Sequence, residues 1–170
     1  MTLLLTYILA ALLFSFLCSI AEAVILSITP AHIALLEKKG HPAAGKLQQL
    51  KREINQPLAA ILTLNTIAHT VGAAGAGAQA TVVFGSGSIG VVSALLTLLI
   101  LVFSEIIPKT LGAYYWRELA PVTAQLLQLL VWLLYPFVLL SEKITARFAD
   151  KPMMSGMSRG EFQAISKLSE

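Results

Sequence analysis

Ser104-Glu105-Ile106-Ile107-Pro108-Lys109 lies inside an apolar run that opens near Ile89 and continues to about Tyr115. A carboxylate in such a run is costly. A charged side chain at the centre of a bilayer helix costs roughly 2.5–3.5 kcal/mol on insertion scales, so Glu105 is expected to face protein, water or an ion. Pro108 follows three residues later and has no N–H for the carbonyl four residues back, that of Ser104. The stretch therefore offers a carboxylate and a freed carbonyl side by side. These are the hard oxygen donors that Mg²⁺, Ca²⁺ or Na⁺ use. The plainer reading is a proline-kinked helix whose glutamate pairs with a buried donor.

Working outward, the composition is that of a membrane protein. Of 170 residues 56% are hydrophobic and 12% charged, about half the usual charged share. Helices surrounded by lipid are apolar all round, so length and charge placement carry more information here than periodicity. Residues 2–28 form one span, uncharged apart from Glu22. Residues 54–104 contain no charge at all. They hold a second span at about 57–83 and the start of a third at about 89–115, with Gly85-Ser86-Gly87-Ser88 as the turn between. Between the first two spans, residues 30–56 alternate apolar with charged positions. This predicts one or two amphipathic juxtamembrane helices, divided at His41-Pro42. The tract Gly72-Ala73-Ala74-Gly75-Ala76-Gly77-Ala78 suits close helix packing, including packing across a dimer.

Residues 120–140 would pass as a fourth span by hydropathy, but the charges argue otherwise. With three crossings all 12 Lys and Arg residues fall on one side, as the positive-inside rule wants; a fourth would put Lys143, Arg147 and Lys151 outside. Pro121 and Pro136 are expected to interrupt the run, leaving residues 120–148 as bent juxtamembrane helices. The expected topology is N-terminus outside and C-terminus cytoplasmic in the inner (plasma) membrane, with lipid as an obligatory partner. The fold class is all-α integral membrane, with three transmembrane helices plus juxtamembrane helices in a domain spanning 1–150. Residues 151–170 read as a linker and, from the capping box Ser158-Arg159-Gly160-Glu161, the start of a cytoplasmic helix. The slight basic excess is explained by topology and is no sign of nucleic-acid binding. Cys18 is the single cysteine, which excludes an internal disulfide.

On this topology the polar residues of the three spans lie at similar depth. At 1.5 Å per residue, Glu22 is ~9 Å, Asn65 ~12 Å and Glu105 ~15 Å from the cytoplasmic ends of their helices. Ser15, Ser19 and Glu22 share one face of the first span; Asn65 and His69 share a face of the second. The candidate metal ligands are Ser19, Glu22, Asn65, Glu105 and the Ser104 carbonyl, all hard oxygens. His69 reads as a packing residue, and Lys109 is expected either to pair with Glu105 or to snorkel to the interface. No His-Glu-x-x-His motif occurs, and the chain does not read as an enzyme.

Three elements, Ser19-Ile20-Ala21-Glu22-Ala23, Asn65-Thr66-Ile67-Ala68-His69 and Glu105-Ile106-Ile107-Pro108-Lys109, stand in order and at suitable spacing. In these the chain resembles the transmembrane domain of the CorC/cyclin-M (CNNM) family, also called DUF21, over about residues 1–150. The resemblance implies a homodimeric Mg²⁺ transporter that exports Mg²⁺ in exchange for Na⁺, with Ser19, Asn65 and Glu105 at the ion. It also implies a cytoplasmic region with paired CBS domains that bind ATP, beyond Glu170. Many members read Ser-Gly-Ser-Glu where this chain has Ser19-Ile20-Ala21-Glu22, and many have a second Asn where it has His69. The competing expectation is a non-transporting membrane anchor or a regulatory subunit that senses Mg²⁺.

Overall fold

Each apolar stretch is long enough to satisfy its backbone internally, and each emerges as a helix in the computed structural model, which describes residues 1–149. The capping box at Ser158 lies outside the described residues. In chain order the helices are α1 (Thr2–Ser27), α2 (Pro30–Lys38), α3 (Ala43–Arg52), α4 (Asn55–Phe84), α5 (Ile89–Leu99), α6 (Ile107–Tyr114), α7 (Trp116–Leu133) and α8 (Tyr135–Ala149). A π-helical segment, Ile100–Ile106, joins α5 to α6 into one continuous span, Ile89–Tyr114. Three helices are thus long and apolar enough to cross a membrane: Thr2–Ser27, Asn55–Phe84 and Ile89–Tyr114. Among the described residues there is no strand.

The first span is the central one, with α4 and the third span both packed on it. Small residues set the approach. A Cβ on Gly112 would stand 2.8 Å from the Ile20 carbonyl oxygen and 2.9 Å from the Ala23 Cβ. Gly72 and Gly75 lie so close to Ala11 and to the Tyr7 ring that neither has room for a Cβ. The small-residue tract therefore packs within the chain, against α1. Its glycines do not loosen α4, which runs unbroken through them because α1 covers one side of the tract.

The juxtamembrane segment folds as two helices with defined ends. Thr29 caps α2, its Oγ1 accepting from the His32 N–H at 3.3 Å, and Pro30 takes the first helical position, where a missing N–H costs nothing. The helix ends one step before the predicted His41-Pro42 break. Gly40 adopts φ +68°, its N–H bonds the Glu37 carbonyl at 2.9 Å, and the His41 N–H bonds the Leu36 carbonyl at 2.9 Å. That pair of bonds is a Schellman closure, which needs a left-handed residue at the glycine position. Next, α3 sends Lys51 back to α1, where its Nζ donates to the Ile25 carbonyl at 3.0 Å. This satisfies a last-turn acceptor that has no helical partner. Burial pushes the Lys51 ammonium below the ordinary lysine range. Lys51→Met keeps the apolar stem and deletes the donor. It is expected to lower stability by about 1 kcal/mol, read from thermal unfolding in micelles.

Residues 116–149 form an elbow. α7 and the α8 portion to Ile144 meet at 81°, with the break at Leu134 just ahead of Pro136. Pro121 does not interrupt the chain as expected; it lies inside α7. The one carbonyl it deprives of a donor belongs to Arg117, an exposed residue at the helix start, where solvent can replace the bond. The buried stripe of α7, which includes Ala120, Ala124 and Leu127, faces α1, α3 and α4.

Candidate functional site

The helix register brings the polar residues together. Running antiparallel along α1 and α4, Tyr7 lies against Gly75 and Ala11 against Gly72. One turn on, Ser15 Oγ and His69 Nε2 share a hydrogen bond of 2.7 Å. One further turn puts Ser19 opposite Asn65. Both are left wanting: Ser19 Oγ and Asn65 Oδ1 are buried side-chain atoms without a hydrogen-bond partner. An orphaned buried polar atom costs roughly 1–3 kcal/mol. Two on facing helices, one turn from a carboxylate, make a coherent pair of vacant oxygen donors.

The third span supplies the rest. The Ser104 hydroxyl, fully buried, donates to the Leu12 carbonyl of α1 at 3.1 Å. That bond fixes the level of the neighbouring Glu105, whose Oε1 stands 4.0 Å from His69 Nε2. Glu105 thus lies beside the Ser15–His69 rung, with the Ser19–Asn65 rung one turn towards the C-terminal end of α1. Lys109 pairs with Glu22 and not with Glu105. Its Nζ lies 3.2 Å from Glu22 Oε2, because one further turn of the third span carries it down to the level of Glu22 on α1. Glu22 is therefore held by an ammonium, and Glu105 is left without a cationic lysine.

The backbone around Glu105 departs from the expected kink. The span widens into a π segment at Ile100–Ile106, in which the Ile107 N–H bonds the Val102 carbonyl. Pro108 then removes the donor that a π turn would give Phe103 and an α turn would give Ser104. Phe103 joins Ser104 as a carbonyl without that main-chain donor, which sequence reasoning missed. The helical pattern of this run is the same whether its turns are α or π, so only the proline was visible.

Sequence periodicity had placed Ser15 with Ser19, and His69 with Asn65, each on its own helix. What it could not supply was the partnership across helices that puts His69 between Ser15 and Glu105. Among the described residues no three His, Cys, Asp or Glu side chains converge. The arrangement can hold a hard cation through a hydroxyl, a carboxamide oxygen, one carboxylate and main-chain carbonyls.

Comparison with known proteins agrees with this architecture. The family described as the cyclin M transmembrane N-terminal domain (CNNM) matches residues 6–170. The UPF0053 protein sll1254 of Synechocystis sp. is 36% identical over 157 residues, 92% of this chain and 45% of its own length. The UPF0053 inner membrane protein YfjD of Escherichia coli is 27% identical over 110 residues, 65% of this chain and 26% of its own. The DUF21 domain-containing protein At1g55930, chloroplastic, of Arabidopsis thaliana is 29% identical over 118 residues, 69% of this chain and 18% of its own. The chain spans less than half the length of each of these curated relatives.

Proposed function

The chain belongs to the CNNM (cyclin M) family, and from that premise we propose that it is the membrane domain of a Mg²⁺ transporter that exports Mg²⁺ in exchange for Na⁺. The observation that carries the reading is the pair of unsatisfied buried oxygens, Ser19 Oγ and Asn65 Oδ1, one turn from Glu105. Mg²⁺ dehydrates reluctantly and needs close oxygen ligands at near-octahedral positions. Those two oxygens, the Glu105 carboxylate and the carbonyls of Ser104 and Phe103 are the donors for it. One carboxylate among neutral donors suits an ion that must also leave. Glu22, tied to Lys109, braces the first and third spans beneath the site and is not itself a ligand in this state. Na⁺, another hard cation, competes for the same oxygens.

The orientation rests on charge. With the N-terminus outside, every basic residue lies on the cytoplasmic side, and α7 with its elbow lies along that face beside the basic helix α3. A homodimer in the inner membrane, with an ATP-binding CBS region in the whole protein, completes the proposal.

The test is flux in proteoliposomes. An inwardly directed Na⁺ gradient is expected to drive Mg²⁺ out, and replacing Na⁺ by K⁺ to stop it. Asn65→Ala, which removes a vacant donor, is expected to slow the flux by roughly tenfold or more. Folded protein that moves no Mg²⁺ under any gradient would support a membrane anchor or a regulatory subunit in place of a transporter.

A further inference from the structure

We propose that His69 is a ligand in the same site and tilts it towards first-row transition divalents such as Mn²⁺ and Co²⁺. This inference rests on the reading of Ser19, Asn65 and Glu105 as cation donors. Its own support is geometric. His69 Nε2 is the ring nitrogen that faces Glu105 Oε1, across a gap of 4.0 Å. A first-row divalent cation placed between them would lie about 2 Å from each, the ordinary length of its bonds to imidazole nitrogen and carboxylate oxygen. Among the described residues, the hydrogen bond that holds that nitrogen in place is to Ser15 Oγ, at 2.7 Å. A serine hydroxyl is easily turned, so the bond keeps Nε2 aimed into the gap without committing it. The ring's side chain is 28% exposed and that of Glu105 33%, so an ion can reach both.

The consequence follows from donor type. Mg²⁺ gains little from an imidazole in place of an oxygen, whereas imidazole nitrogen suits the transition divalents. Affinity for a given nitrogen-containing site rises from Mn²⁺ through Co²⁺. A nitrogen beside one carboxylate and two neutral oxygens therefore shifts preference along the series without abolishing binding of Mg²⁺. The remaining charged groups near this level, Glu22 and Lys109, neutralise one another and leave the balance to His69 and Glu105.

The experiment is Mn²⁺ binding to the purified chain in detergent, with Mg²⁺ as competitor, at one fixed and mildly alkaline pH. Wild type, His69→Asn, His69→Gln and Glu105→Gln are compared, with thermal unfolding as the check on folding. Pulsed electron paramagnetic resonance of the bound Mn²⁺ is expected to show nitrogen modulation in wild type and in Glu105→Gln wherever Mn²⁺ remains bound. It is expected to vanish in both His69 variants. The Mn²⁺-over-Mg²⁺ affinity ratio is expected to fall by roughly tenfold in His69→Asn and His69→Gln. Bound Mn²⁺ without nitrogen modulation in wild type, and an unchanged ratio in both His69 variants, would make His69 a packing residue and overturn the inference while leaving the oxygen site standing. If neither ion binds the folded wild type, or if Glu105→Gln binds both as well as wild type, the site reading itself fails and the inference with it.

Discussion

Glu105→Gln and Glu105→Ala are expected to lose Mg²⁺ binding by at least ~100-fold in calorimetry on the purified chain, beyond the range seen when only the surroundings of a metal ligand are changed. The size of the effect follows from charge. Among the donors gathered here Glu105 brings the one negative charge, since Ser19, Asn65 and the main-chain carbonyls are neutral and Glu22 is spent on Lys109 at 3.2 Å. Glutamine keeps the shape and one oxygen, so its failure would separate loss of charge from loss of volume. The same variant also removes a carboxylate from an intramembrane position, so the protein is expected to fold at least as well without it. In wild type, Na⁺ is expected to weaken Mg²⁺ binding by competition. Undiminished binding in both variants would remove Glu105 from the site and reduce the Glu-x-x-Pro-Lys element to a structural widening of the helix.

The second large effect is expected at Gly112. Its side-chain position faces the Ile20 carbonyl oxygen at 2.8 Å and the Ala23 Cβ at 2.9 Å, and a main-chain oxygen inside α1 cannot turn aside as a flexible side chain would. Gly112→Val is therefore expected to cost at least ~1–3 kcal/mol, the usual scale of overpacking. Packing between membrane helices depends on such close approach, so the third span would be levered off α1. Lys109 would then part from Glu22, and Mg²⁺ binding would weaken along with stability. Gly90→Ala is the control. Nothing lies within 4 Å of its side-chain position, and exchanging a helical glycine for alanine there should gain up to about 1 kcal/mol. Thermal unfolding of the two variants should move in opposite directions. A Gly112→Val protein as stable as wild type would mean that this contact is not as tight as described.

How much of this was legible in the sequence depended on whether a signal was local. Spans near Thr2–Ser27, Asn55–Phe84 and Ile89–Tyr114 could be read because a lipid-crossing helix must be long and apolar. The division of the juxtamembrane segment was visible in Thr29-Pro30 and near His41-Pro42, since capping and proline chemistry act within a few residues. The faces Ser15–Ser19 and Asn65–His69 followed from helical spacing alone. Relations between helices were not legible. Lys109 is one turn from Glu105 in sequence, yet it reaches Glu22 because two spans lie side by side in one particular register. The small-residue tract announced close packing without saying that Tyr7 and Ala11 would receive it. Pro121 and Pro136 look alike in sequence, but only the second lies at the elbow, because the first falls where an exposed carbonyl can spare its bond.

The wide turn at Ile100–Ile106 has a further implication when considered as rotation. A π turn holds one residue more than the regular helix needs for the same circuit. One residue of an α-helix corresponds to about 100° about the axis, so the span stores roughly that much twist between Leu99 and Ile107. Were the wide turn to slide along the helix, each residue it passed would swing around the axis by that angle while both ends of the span stayed in place. Pro108 sets the lower limit of such sliding, and Glu105, three residues above it, is among the side chains that would be carried round. The site could then change the direction it faces by the travel of a defect within one helix, with α1 and α4 held still by the closely packed glycines between them.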